Sequence, residues 1–215
     1  MTSCELFGLE LQQKYDYDAE KGLYDNQLSE KTAWEFITTH TSLFSQLIEA
    51  VEYAEVDPEV FNQPNLTLLL VSNAGLTTAT DSYWARNKLD LDGDGIPETT
   101  PMSWDVFPKE QVRDLILYHI VKGAWSYNEL TAATAGVLTF FPTESTRSDG
   151  YVALQMKREG ALSIYFNNFE NHYTLNLKAR TNNLQLPNGS YIHVMDKYLN
   201  YPTDLDLANY SFYNK

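Results

Sequence analysis

An α+β fold, with helices in the first half of the chain and short strands in the second, follows from three features of the sequence. Apolar residues recur at helical spacing between Thr41 and Val51. A proline-led helix start stands at Pro108. From Val137 onward, short β-branched or aromatic runs are separated by turn residues. Helices first and strands after is the order of a segregated α+β domain, whereas a parallel α/β sheet needs the two to alternate. The 215 residues, 43% of them hydrophobic, are enough for one domain. A chain of this length hides roughly 70% of the surface its unfolded form exposes, so no metal or disulfide is needed to hold it together.

The elements follow in order. Residues 1–40 are polar, acidic and punctuated by tyrosine, as in Lys14-Tyr15-Asp16-Tyr17-Asp18, and read as a lead-in segment. Leu43, Phe44, Leu47, Ile48 and Val51 then form one helical stripe, with Thr41 or Ser42 as N-cap. Pro58 and Pro64 bracket a short turn. Leu66–Val71 is an apolar run of strand length, ended by Ser72-Asn73-Ala74-Gly75. Residues 87–105 are dense in Asp, Gly and Pro and read as an insertion. Pro108-Lys109-Glu110-Gln111 opens a helix whose inner face carries Val112, Leu115, Ile116 and His119. Strands are predicted over Val137–Phe141, Tyr151–Met156, Ala161–Phe166, Tyr173–Leu177 and Tyr191–Met195. The domain thus runs over residues 41–202, and 203–215 form a tail.

Charge and cysteine content narrow the function classes. Fifteen Lys and Arg stand against 29 Asp and Glu, a formal charge of −14. Phosphate binding rests on clustered cations, so a general nucleic-acid binder is disfavoured, as is attraction to anionic membrane surfaces. The single cysteine, Cys4, excludes an intramolecular disulfide and a cysteine-rich zinc site. No apolar stretch approaches the 18 or so residues that span a bilayer; Leu66–Val71 and Leu115–Val121 are the best short candidates.

The segment richest in chemistry is Asp90-Leu91-Asp92-Gly93-Asp94-Gly95-Ile96-Pro97-Glu98. Acids at alternate positions 90, 92 and 94 can converge on one cation while Gly93 and Gly95 permit the sharp turn. The Ile96 carbonyl adds a ligand, and Glu98 reaches directly or through water. The expected ion is calcium, with Asp105 a further ligand candidate. Pro101 stands where an EF-hand loop carries its bidentate glutamate, so the loop resembles instead the Asp-rich repeats of thrombospondin type-3 and dockerin modules. The other reading is a solvated acidic loop. A calcium site here is expected to rigidify a surface insertion rather than to perform catalysis.

The histidines read as structural. His119 closes the second helix on the face of Leu115 and Ile116, as a hydrogen-bonded core residue favoured by the helix dipole. His193 alternates between Ile192 and Val194 as a strand residue does. His40 and His172 have no partner at ligand spacing. No nucleophile-elbow, phosphate-loop or dinucleotide-binding pattern occurs, and an enzyme is not expected, although carboxylate pairs assembled by folding leave no sequence signature.

Three segments, in this order, resemble the fasciclin domain family. Asn65-Leu66-Thr67-Leu68-Leu69-Leu70-Val71-Ser72-Asn73-Ala74-Gly75-Leu76 is similar to that family's first motif, a strand running into a Pro-Thr-Asn-x-Ala-Phe turn, with Val71 in place of the proline and Leu76 of the phenylalanine. Leu115-Ile116-Leu117-Tyr118-His119-Ile120-Val121-Lys122-Gly123 is similar to the Leu-Leu-x-Tyr-His-Val-Val-x-Gly segment. Asn188-Gly189-Ser190-Tyr191-Ile192-His193-Val194-Met195-Asp196-Lys197-Tyr198-Leu199 resembles Asn-Gly-x-Ile-His-Val-Ile-Asp-x-Val-Leu with one residue added. The resemblance covers about Thr41 to Pro202. It implies a β-sandwich or wedge flanked by helices, extracellular or cell-surface adhesion, and no active site. In animal members the Tyr-His segment is associated with integrin adhesion, which carries over to Tyr118 and His119.

Met1-Thr2-Ser3-Cys4 resembles a bacterial lipobox, whose cysteine becomes the lipidated N-terminus of surface lipoproteins of the Bacteroides type. The expectation is therefore an adhesion or ligand-binding module on a bacterial envelope or cell surface. It would meet a surface protein or glycan and touch the membrane through lipid on Cys4. The competing expectation is an accessory component of an envelope complex, for example one that handles polysaccharide.

Overall fold

The computed structural model describes residues 30–127, 129–141, 151–157, 163–167 and 177–201. The expectations for Cys4, for the lead-in up to residue 29, for His172, for residues 173–176 of the fourth predicted strand and for the tail fall outside them. The fold is α+β, as the sequence predicts. Helices α1 (Ala33–Thr39), α2 (Thr41–Tyr53), α3 (Tyr83–Arg86) and α4 (Lys109–Tyr118) accompany strands β1 (Leu66–Val71), β2 (Ile120–Lys122), β3 (Ala135–Leu138), β4 (Tyr151–Lys157), β5 (Ser163–Phe166), β6 (Leu177–Lys178), β7 (Thr181–Gln185) and β8 (Tyr191–Met195).

Among the described residues the strands form two four-stranded sheets, ordered β2-β1-β8-β7 and β3-β4-β5-β6. The second sheet is antiparallel throughout. In the first, β1 pairs antiparallel with β2 and parallel with β8, Thr67 opposite Tyr191 and Val71 opposite Met195. The sheets join where Val121 bridges Thr139 and the Phe140 N–H donates to the Ile120 carbonyl at 2.8 Å. Phe166 of β5 lies against the ring of His193 on β8, with centroids 5.9 Å apart.

Every residue of β1 is buried. Its six residues alternate in direction, so burial of both faces requires a cover on each, and the sequence answers with an unbroken apolar run rather than an apolar-polar alternation. Helices α2 and α4 supply part of that cover through Phe44, Leu47, Ala50 and Val51 on one and Val112, Leu115, Ile116 and Tyr118 on the other. The predicted stripe of α2 is present, with Leu43 and Ile48 at its partly buried margins.

Helix α1 corrects the predicted domain boundary, because it lies inside the segment assigned to the lead-in. A reciprocal cap starts it: the Glu35 N–H donates to Thr32 Oγ1 at 3.2 Å and the Thr32 N–H donates to Glu35 Oε2 at 2.8 Å. Ala33, Phe36 and Ile37 are buried in the common core. The packed domain therefore includes Ala33.

Strand β7 was also not expected. Its register shifts between Thr181 and Leu184, and Asn183 adopts φ 61° there. Such a bulge breaks the period-two pattern from which strands are read, and asparagine is among the side chains that tolerate this backbone.

Ile37→Ala should lower unfolding stability by about 2–4 kcal/mol, as removal of a fully buried isoleucine does in a packed core. Urea denaturation checks this, and a loss near zero would place α1 outside the cooperative unit.

Candidate functional site

The three motif-bearing segments converge. β1 is the middle member, β8 lies on one side and β2 on the other, and α4 runs into β2 through His119. Cross-links tie them at both ends. The Leu66 N–H donates to Ser190 Oγ at 3.0 Å, and the Ser72 N–H donates to the Met195 carbonyl at 2.8 Å. The turn after β1 fits tightly against the end of β8: a Cβ on Gly75 would lie 2.7 Å from Val71 Cγ1 and 3.0 Å from the backbone of Asp196.

Two buried histidines complete the junction. The Leu69 N–H donates to the His119 carbonyl at 2.9 Å. The His119 ring accepts the Leu199 N–H at Nε2 (2.8 Å), so Nδ1 carries the proton and donates to the Leu115 carbonyl at 2.7 Å. His193 holds the opposite tautomer. It accepts the Asn183 N–H at Nδ1 (3.1 Å) and donates from Nε2 to the Trp125 carbonyl at 3.1 Å. Burial disfavours the charged ring and lowers each pKa from 6.5 to about 4, against an upward pull from the Leu115 carbonyl in one case and the Trp125 carbonyl in the other. Both histidines are thus neutral acceptors for backbone N–H groups, the structural role predicted for them.

Tyr118 is fully buried and His119 nearly so. This corrects the expectation that they form an adhesion contact. The last turn of α4 is driven into the core, where the Tyr118 hydroxyl accepts from Asn167 Nδ2 at 2.9 Å and its ring meets Phe141 and Tyr201 edge-on. Neither side chain reaches a partner without opening the core.

A cavity of about 20 Å³ lies beside this junction, lined by Leu47, Leu69, Leu115, Ile116 and His119. Pockets for small molecules are roughly 300–1,000 Å³. Both His119 nitrogens already have backbone partners, so the space is a packing gap among mainly apolar side chains.

The acidic insertion is anchored at its root. Trp84 and Trp104 meet edge-on with centroids 5.4 Å apart, Tyr83 packs on Phe107, and Leu89 and Thr99 exchange backbone hydrogen bonds of 2.7 and 3.1 Å. Trp104 Nε1 donates to the Gln46 carbonyl at 3.1 Å, which fixes the insertion to α2. Beyond the bridge, Asp90 accepts the Gly93 N–H at 2.7 Å and the Gly95 N–H at 2.8 Å, and Asp94 accepts the Ile96 N–H at 2.8 Å. Gly93 and Gly95 have φ of 77° and 87°, the left-handed backbone this fold-back requires. The bonds from Gly95 and Gly93 hold the Asp90 carboxyl below its usual value.

The result brings Asp90, Asp92, Asp94 and Glu98 together, with one carboxylate oxygen from each within 4.8 Å of the others and all four residues exposed. These are the predicted acidic ligands. An exposed all-oxygen donor set of this kind fits a hard cation such as calcium. Asp105 is outside this group and accepts from Ser103 Oγ. The same insertion leaves Leu91 and Met102, to which the sequence reading gives no role, open to water, together with the side chain of Ile96, whose carbonyl that reading expects as a ligand.

No family model matches the chain, and no curated protein matches it. Among solved structures it is similar to a FAS1 domain pair from the insect cell adhesion molecule Fasciclin I, at 13% identity and a TM-score of 0.43. The match covers 73% of this chain and 46% of that one, so the chain spans about half the length of that structure.

The buried histidines give stability a defined pH dependence. With the folded pKa below the ordinary value, the neutral rings contribute fully above about pH 6.5. The contribution is lost as pH falls toward 4, by on the order of a few kcal/mol. His193→Gln, which keeps an acceptor but takes no proton, should flatten the slope of urea stability against pH. An unchanged slope would show that His193 is not its source.

Proposed function

We propose that this chain is a fasciclin-like recognition module without catalytic activity, carried on a bacterial envelope or cell surface by lipid on Cys4, and that calcium holds its acidic insertion in shape. The observation that carries the reading is the convergence of the three segments that resemble fasciclin motifs. Far apart in sequence, they are adjacent in the first sheet, joined through β1, β2 and β8. Chance matches have no reason to be hydrogen-bonded neighbours.

The disposition of polar groups supports a binding role over chemistry. Catalytic acids and bases need open access and a pKa near working pH. His119 and His193 are buried, held near 4, and committed to backbone groups. The partner expected is a surface protein or glycan. The formal charge of −14 works against nucleic acid, and no helix among the described residues is long and apolar enough to cross a membrane.

Calcium supplies the positive charge that four mutually repelling carboxylates need. Asp90, Asp92, Asp94 and Glu98 would hold it, with Ile96 between the last two. The role is structural: binding to the folded loop but not to the unfolded chain raises stability by mass action.

Calcium at about a hundred times its Kd should raise the melting temperature by roughly 5–10 °C. Asp92→Ala with Asp94→Ala should remove the rise. A wild-type melt that is the same in calcium and in chelator would end the calcium assignment.

The recognition reading is tested by applying the purified protein to arrays of glycans and matrix proteins, with calcium and with chelator. Saturable binding to a defined ligand is expected. A blank array, together with a stable envelope partner retained in detergent, would replace this reading with an assembly role.

A further inference from the structure

The large apolar side chains that the fold leaves most open to water fall within one stretch of chain, residues 91–106. Leu91 is 69% exposed, Ile96 65%, Met102 91% and Val106 42%. Among the described residues, Tyr201 at 38% is the other exposed large hydrophobic, and it lies elsewhere. Single exposed apolar residues are ordinary, but a cluster marks a contact surface. The insertion itself separates two kinds of apolar residue. Trp84, Trp104 and Phe107 are buried at its root, while Leu91 and Ile96 stand at its tip.

The tip is compact. Leu91 and Ile96 lie in the same nine-residue segment as acids whose carboxylate oxygens are within 4.8 Å of one another, so each is flanked by negative charge. Met102, an adaptable side chain, lies on the return strand of chain.

We infer that this tip is the protein's docking surface, and that its partner is a protein offering an apolar pocket rimmed by lysine and arginine. The inference rests on the recognition-module reading. Charge complementarity selects the partner. Four carboxylates around one divalent cation still leave two negative charges, in a chain whose formal charge is −14. A second copy would bring a like-charged tip, and an anionic lipid surface would repel it. A cationic rim attracts it, and an apolar pocket takes up Leu91 and Ile96.

The test uses the full chain in calcium and a labelled peptide of alternating lysine and leucine, followed by fluorescence anisotropy. Leu91→Ser with Ile96→Ser keeps every charge and alters two exposed positions. It should weaken peptide binding roughly tenfold, while the wild type and the tip variant melt together. Equal binding by wild type and tip variant would overturn the inference, since net charge alone would then hold the peptide. So would binding of wild type to phosphatidylserine vesicles in place of the peptide, or a dimer in sedimentation that the tip substitutions dissolve. The two readings fail separately. An array ligand held equally by wild type and tip variant removes the tip and leaves the module, whereas a blank array removes the module and this inference with it.

Discussion

The fold depends on the complete burial of β1. A strand with no wet face and no free edge must find a partner for each backbone group, because an unpaired buried N–H or carbonyl costs about as much as a lost hydrogen bond. β2 and β8 take the two edges, and neighbouring groups supply what the ladders leave over: the His119 carbonyl accepts from Leu69, the Ser190 side-chain Oγ accepts from Leu66 and, just past the strand, the Met195 carbonyl accepts from Ser72. The segments around residues 66, 120 and 192 are therefore not independent pieces. Each completes the hydrogen bonding of the others.

The histidines extend this logic to the ends of elements. A helix terminus and a bulged strand both leave N–H or carbonyl groups without a regular partner. A neutral imidazole offers one donor and one acceptor on opposite sides of a rigid ring, which suits a place where one of each is orphaned. His119 joins the last turn of α4 to the segment after β8, and His193 joins the β7 bulge to the loop at Trp125. A charged side chain could not sit there without its own counterion, and aliphatic ones would leave the backbone unsatisfied.

Much of this was legible in the sequence, and the remainder was hidden for identifiable reasons. α2, α4, β1 and β8 are read from apolar periodicity because packing acts on them directly, and β1 and β8 keep their expected limits. The acids of the insertion stand within nine residues of one another, so their grouping is visible in the sequence. β2 is three residues long, and β7 carries Asn182 and Asn183 across a bulge, so neither shows a strand period. α1 is a different case: its capping pair, Thr32 and Glu35, stands in the sequence, but the polar and acidic character of the preceding thirty or so residues masks it. The adhesion role attached to Tyr118 and His119 came from a resemblance, and burial is a property of three dimensions that no resemblance in sequence specifies.

The edge-on contact of Trp84 with Trp104, together with the backbone pair at Leu89 and Thr99, has an evolutionary consequence. The conformational cost of closing the intervening loop is met where the ends enter the core, so the residues between them are released from any duty to the fold. A change confined to residues 90–98, all of them exposed, meets solvent before it meets the core.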